Sequence, residues 1–403
     1  MTPNALGAAA LRFAAALFLP LGLLAPAGMW LLLLIAGAGA LIASPGRWRD
    51  HGLGLPTLAG AGLLAWAALS LAWTPDPGQA AVSLAKLAGL MMLAAALLAG
   101  VARTDPSDAA KIAGALAATL VLGLILMTAD IAASGAIRRA VVPDSFAATD
   151  GLYGYNRGAT VAALAVWPAL LWLWPRSQLL ALALLLWVLA ILAGLESASA
   201  AIGYSVGLAA FAAVVIRPRP ALAWIGIIAA VAVLTAPLLP FTILSPQVIG
   251  ARVERSSQSA MHRLYIWRFA AEHIAERPLA GWGYESARAF PGRRATIADF
   301  DRSRTADVYK HLAILPLHPH NGPLHIWLEL GLPGALIMAA LVGWIPFAIR
   351  RLAVAPVRAA ALAGAFTSAL GLCGFSYGLW QSWWLSALAL AAAIAILAAR
   401  SPE

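Results

Sequence analysis

Residues 178–194 read QLLALALLLWVLAILAG, an uncharged stretch bracketed by Arg176 and Glu196. A run of this length and apolarity spans most of a bilayer's hydrocarbon core as an α-helix. It is continuous rather than alternating, which excludes the two-periodic strands of a membrane β-barrel. Similar runs recur along the whole chain. Of 403 residues, 62% are hydrophobic and 11% charged, and the mean hydropathy is +0.84. A soluble domain of this size needs far more polar surface. The chain therefore reads as an all-α polytopic membrane protein, with residues 1–403 forming a single integral membrane domain.

About twelve spans are expected, near 9–25, 27–43, 53–73, 80–101, 109–133, 156–175, 178–194, 200–216, 221–240, 323–349, 359–379 and 383–399. Pro20, Pro26 and Gly28 divide the first long run. Short loops alternate in charge. One side holds Arg47, Arg49, Arg103, Arg176, Arg217, Arg219, Arg350, Arg351, Arg358 and Arg400. The other holds the nearly Arg-free turns at 73–78, 195–199 and 380–382. Cationic short loops stay cytoplasmic, so both termini are expected inside. Arg12, an apolar run and Ala25-Pro26-Ala27 resemble a cleavable signal peptide. Another apolar segment follows at once, so this stretch is read as a first span. No globular domain is expected after Ser401-Pro402-Glu403. The single cysteine, Cys373, excludes a disulfide or a thiolate metal cluster within one chain. The net charge of +10 reflects topology and carries no sign of nucleic-acid binding.

One polar island breaks the pattern. Residues 241–321 hold eleven of the 27 Lys+Arg and five of the seven His. This topology puts the 241–322 loop on the outer face, the periplasm of a Gram-negative cell, between spans nine and ten. Long loops translocate largely regardless of charge, so its basic character is free for another purpose. Residues 257–277 read as a helix. Leu264, Trp267, Ala271 and Ile274 form an apolar stripe expected at the membrane surface, and Arg268 and Glu272 pair at i,i+4. Residues 290–310 read as polar and irregular. His318-Pro319-His320-Asn321 then leads into the tenth span, which Pro323 opens.

An enzyme outside the cytoplasm has no nucleotide supply, so an activated membrane lipid such as a polyprenyl diphosphate-linked sugar is the natural donor. Arg provides bidentate donors for the leaving diphosphate, and His a base near neutral pH. The candidates are His320, His318 and Arg263 in the loop, and Arg157 at the outer end of the sixth span. Lys86 joins them as the cation expected to be most buried, about two turns into the fourth span. Asn321 orients His320 or caps the next helix. His325 and Glu329 stand at metal-ligand spacing. With no Cys and no carboxylate cluster beside them, Glu329 is read as positioning an Arg or His in a diphosphate site, or as capping the loop, without a metal.

His320-Asn321, a nine-residue gap and Gly331-Leu332-Pro333-Gly334 together resemble the O-antigen ligase signature. Arg263-Leu264-Tyr265-Ile266-Trp267 and Pro278-Leu279-Ala280-Gly281-Trp282-Gly283 are similar to the Arg-x-x-x-Trp and Pro-Leu-x-Gly-x-Gly stretch of the same superfamily. O-antigen polymerases and protein O-glycosylases share that stretch. The resemblance covers about 150–349 in sequence. It implies a GT-C-type glycosyltransferase that moves a glycan from undecaprenyl diphosphate to lipid A–core at the inner membrane's periplasmic face. No cofactor, nucleotide or metal is implied. By motif His320 takes the catalytic His role and Arg263 one Arg role, with Arg157 the other. One departure stands out: where the superfamily often has Ser-Arg-Gly, this chain reads Glu196-Ser197-Ala198-Ser199. The alternatives are an O-antigen polymerase and, from another class, a lipid-linked oligosaccharide flippase. A transporter would place its ionisable residues along a central path, whereas here they gather in one outer loop.

Overall fold

The computed structural model describes residues 3–43, 54–141, 152–195, 197–304, 306–352 and 354–400. The apolar runs fold as α1 (Pro3–Leu24), α2 (Met29–Ala43), α3 (Leu55–Ser70), α4 (Pro77–Val101) and α5 (Pro106–Ala132). After the short α6 (Ala136–Val141) come α7 (Asn156–Leu173), α8 (Gln178–Gly194), α9 (Ala198–Ile216) and α10 (Pro218–Thr235). The polar island contains α11 (Pro246–Ser256), α12 (Gln258–Glu276) and the single turns α13 (Ser286–Ala289) and α14 (Ile297–Phe300). The chain closes with α15 (Gly322–Arg351), α16 (Pro356–Phe375) and α17 (Ser382–Arg400). Proline stands in the first turn of α4, α5, α10, α15 and α16, where its missing N–H costs nothing.

Nine helices among the described residues are long and apolar enough to cross a membrane. The remaining expected spans also fold as helices. α3 and α8 are shorter, at 16 and 17 residues, and α7 is buried along almost its whole length. Pro26–Gly28 forms the turn that separates α1 from α2.

The larger core is built around α7, which packs on α1, α5, α8, α16 and α17. Trp167 lies at its centre. Its indole donates to Ser368 Oγ at 3.1 Å, and Gly207 and Gly364 leave room for the ring where any side chain would collide. Outward-facing Leu179, Leu186, Ile216 and Trp224 are more than half exposed, an apolar belt that lipid covers. The second core joins α3, α4, α12 and the first half of α15 to the polar island.

That second core corrects one expectation. Leu264, Trp267 and Ile274 of α12 are buried inside the protein, not laid on the membrane surface. The island brings its own cover: Phe290, Ile297, Ile314 and Leu315 close over the stripe. The island is also less irregular than expected. Thr296 and Asp299 make a reciprocal capping box at α14, and Thr296 and Ala313 pair in an isolated antiparallel bridge.

α15 is broken at Gly331, whose φ of 58° and ψ of −154° are open only to glycine. Pro333 has no N–H for the Glu329 carbonyl, and the Leu332 N–H turns away to Pro278 O at 2.9 Å. The carbonyls stranded by the break are satisfied from outside the helix. Leu328 O accepts from Trp282 N and Glu329 O from Gly283 N, both at 2.8 Å, and Leu330 O accepts from Trp66 Nε1 at 2.8 Å. Pro278–Gly283 thus acts as a splint along the broken helix. A Cβ at Gly331 would lie 2.5 Å from Leu279 O, and one at Gly281 2.5 Å from Glu329 O.

Replacing Gly331 with Ala should destabilise the protein by at least about 1–3 kcal/mol from backbone strain alone. Gly89→Ala is the control: it sits in a regular helix with nothing within 4 Å of an added Cβ. Thermal melts in detergent, read by the loss of the monodisperse peak, should fall sharply for the first and stay unchanged or rise for the second. Equal melts would mean that the splint is not under the constraint described.

Candidate active site

The His318–Asn321 loop is held from several directions. Asn321 caps α15, its Oδ1 accepting from Leu324 N at 3.0 Å. Trp267 of α12 donates from Nε1 to Pro319 O at 2.9 Å, so the Trp of the Arg-x-x-x-Trp stretch clamps the loop on which the histidines lie. His320 adopts a left-handed φ of 54°, uncommon for a residue with a side chain. Its N–H donates to His318 Nδ1 at 3.2 Å.

This geometry defines the tautomer of His320. His320 Nδ1 lies 2.6 Å from Ser376 O. A carbonyl can only accept, so Nδ1 carries the proton and Nε2 keeps its lone pair. His318 is buried, with Nδ1 3.2 Å from the His320 N–H and Nε2 3.1 Å from the Gln381 amide nitrogen. The His318 and His320 rings are 4.2 Å apart. Of the two, His320 is the less buried.

Glu329 is fully buried and satisfied by donors from three segments. Oε2 accepts from Glu285 N at 2.8 Å and from Trp380 Nε1 at 2.6 Å. Oε1 accepts from Ala287 N at 3.1 Å and His325 Nε2 at 3.0 Å. His325 Nδ1 in turn accepts from Leu379 N at 3.1 Å. The pair at metal-ligand spacing is thus bonded internally, and Glu329 joins α15, the α13 turn and the 376–381 turn. Among the described residues no group of three or more His, Cys, Asp or Glu is arranged to hold a metal ion.

Cations gather around the histidines. Arg263 projects from α12, half-buried, and its charge acts on His318, His320 and His262. Arg288 also acts on His318. Burial is the main cause that holds both His318 and His320 below the ordinary histidine range. For His320 the bond to the Ser376 carbonyl works the other way, and the Arg263 charge lowers the value again, leaving it at about 4. Both rings are therefore neutral at pH 7.

The other expected residues lie further out. Arg157 is exposed, with its guanidinium 5.5 Å over the Trp383 ring. Trp383 donates to Gln381 Oε1 at 3.0 Å, so Arg157 stands two side chains from His318. Lys86 was expected to be buried and is exposed, because the buried face of α4 runs through Ala80, Leu87 and Leu90. It lies one turn from Ser83, whose hydroxyl donates to Glu285 Oε1 at 2.5 Å.

Two parts of the site were not named from sequence. Arg288 is bound through Nε to Glu285 Oε2 at 2.9 Å, and Glu285 is buried in a left-handed conformation. The i,i+3 spacing of Glu285 and Arg288, directly after the glycine stretch, is the signal that points to it. The 376–381 turn supplies Ser376, Trp380 and Gln381. No local sequence signal marks it, since its contacts come from helices far away in the chain.

Residues 182–339 match the family model described as O-antigen ligase, a range that contains the Arg263, His320 and Gly331 motifs. The chain therefore carries an O-antigen ligase family region, and the resemblance seen in its motifs holds. A protein of Rickettsia felis named "Putative polysaccharide ligase" is 28% identical over 269 residues, 65% of this chain and 61% of that protein. "Putative polysaccharide ligase RP358" of Rickettsia prowazekii is 29% identical over 240 residues, 58% of this chain and 56% of that protein. The chain thus spans less than two thirds of the length of these relatives.

The lowered histidines give the fold a pH dependence. Between the ordinary histidine pKa near 6.5 and about 4, the unfolded chain binds protons that the folded chain refuses. Stability therefore falls as pH falls through this window. Melting temperature should drop on going from pH 7 to pH 4.5, and His318→Gln, which removes one of these buried rings, should reduce that drop. An unchanged pH slope in the variant would place the sensitivity elsewhere.

Proposed function

We propose that this protein is an O-antigen ligase: a GT-C-type membrane glycosyltransferase that transfers a glycan from undecaprenyl diphosphate to lipid A–core. In this reading all twelve helical runs lie in the inner membrane and both termini are cytoplasmic. The His loop faces the periplasm. The observation that carries the proposal is His320: its Nδ1–H is committed to Ser376 O, its Nε2 is left as a base, and Arg263 stands beside it. The O-antigen ligase match supports the same reading.

The donor's diphosphate binds to Arg263, with Arg157 on its flank and Lys86 toward the lipid. The acceptor hydroxyl approaches His320 Nε2. As its oxygen forms a bond to the anomeric carbon, the bond from that carbon to the diphosphate oxygen breaks, and undecaprenyl diphosphate leaves with both electrons. The hydroxyl proton passes to His320 Nε2, where the Ser376 carbonyl stabilises the imidazolium through Nδ1–H. A single displacement inverts the anomeric centre. The low pKa of His320 in the free protein is partly the work of Arg263. A bound diphosphate neutralises that charge and makes His320 a stronger base when substrate is present. No nucleotide, cofactor or metal takes part.

The test is reconstitution in liposomes with undecaprenyl diphosphate-linked glycan, with and without lipid A–core. Transfer should require lipid A–core. His320→Ala should lower it by about 10²–10⁴-fold at normal protein level. Arg263→Lys, which keeps the charge but loses the planar fork, should raise the donor KM on the order of tenfold. A fully active His320→Ala protein would defeat the proposal. Chain lengthening without lipid A–core would make the enzyme a polymerase. Glycan-lipid movement across the bilayer without transfer would make it a flippase.

A further inference from the structure

A cleft of about 330 Å³ opens on the polar island, lined by Arg288, Phe290, Gly292, Arg293 and Arg294. Its architecture is fixed by neighbouring structure. Phe290 is buried against Phe269, His273 and Trp282. The turn at Gly292, with φ of 74°, reverses the chain so that the arginines before and after it share one hollow. Beyond the turn the wall is zipped to the segment that leads to the histidines. Leu315 N donates to Arg293 O at 3.1 Å and Ile314 N to Ala295 O at 2.7 Å, and Arg293 Nη1 donates to Pro316 O. The cleft wall is therefore hydrogen-bonded to the segment that leads to His318.

Its charge is unbalanced. Glu285 sits behind Arg288 and is bound to it. Arg293 spends one nitrogen on a carbonyl, which is neutral. Arg294 is exposed and makes no hydrogen bond or ion pair with another described residue. Three guanidiniums facing one hollow, with one carboxylate behind them, match a doubly charged, three-oxygen phosphate better than a carboxylate. Arg288 lines this cleft, and its charge also acts on His318.

We propose that this cleft is a second anion subsite, which holds a phosphate group on the acceptor glycan and so orients the acceptor hydroxyl toward His320. The inference rests on the ligase reading and adds to it a requirement on the acceptor. The donor diphosphate occupies Arg263, and the acceptor phosphate occupies Arg288, Arg293 and Arg294. Specificity for phosphorylated acceptors is then built into the loop and is separable from chemistry.

Arg294→Gln tests this, since Arg294 lies outside the catalytic set and its exposed side chain supports no fold contact. Transfer is measured in liposomes with lipid A–core whose phosphates are intact or removed by phosphatase. Acceptor binding is measured in parallel by tryptophan fluorescence without donor. The variant should raise the KM and the binding constant for the phosphorylated acceptor on the order of tenfold. The donor KM and the values for the dephosphorylated acceptor should not move. Equal behaviour of wild type and variant on both acceptors would overturn the proposal. So would an effect that follows the anionic lipid content of the vesicle instead of the acceptor, because the cleft would then be holding a lipid headgroup. Phosphate-dependent binding that Arg294→Gln weakens, without any transfer by the wild type, would retain the cleft and refute the ligase reading.

Discussion

The break at Gly331 is the constraint on which the rest of the site depends. A helix in a bilayer cannot leave carbonyls unpaired, because no water is present to receive them. Pro333 removes one donor and the kink removes others. The polar island must therefore send backbone N–H groups to the helix, and Trp282 and Gly283 do so. Glycine stands at 281 because its backbone lies too close to that of Glu329 for a side chain, and at 283 because it lies too close to Thr74. A loop that would otherwise hang from its ends is thereby docked along one membrane helix.

Docking at that point organises the chemistry above it. Immediately after the splint, Glu285 and Ala287 offer their N–H groups to Glu329, two residues before the break. A buried carboxylate is costly unless its oxygens are bonded, and four donors from three segments meet that demand. The same carboxylate orients His325 and Trp380, and so fixes the turn whose Ser376 carbonyl selects the His320 tautomer. The kink, the buried acid and the basic nitrogen of His320 form one connected chain of hydrogen bonds.

Electrostatics in this site pull in opposing directions. The cations around the histidines lower the pKa of the imidazoles they surround. Burial deepens the effect, and the carbonyl behind His320 offsets part of it. The free protein therefore holds neutral imidazoles close to the Arg263 and Arg288 guanidiniums.

The helical runs were legible in the sequence because membrane insertion is read locally: about twenty apolar residues satisfy their own backbone wherever they occur. The kink was legible for the same reason, since Gly331 and Pro333 act on their own turn. The motifs around Arg263 and His320 marked the region of the site. The sequence could not place the stripe of α12, because whether Leu264 and Trp267 face lipid or protein depends on Phe290 and Leu315 folding back over them. Nor could it find Ser376, Gln381 or the exposure of Lys86. Those follow from which helix packs beside which, and side chains more than fifty residues apart meet only after that packing is complete. Segment identity is a local free energy and was determined by sequence alone, whereas the tautomer of His320 and the grouping of its arginines are long-range contacts that only the tertiary structure decided.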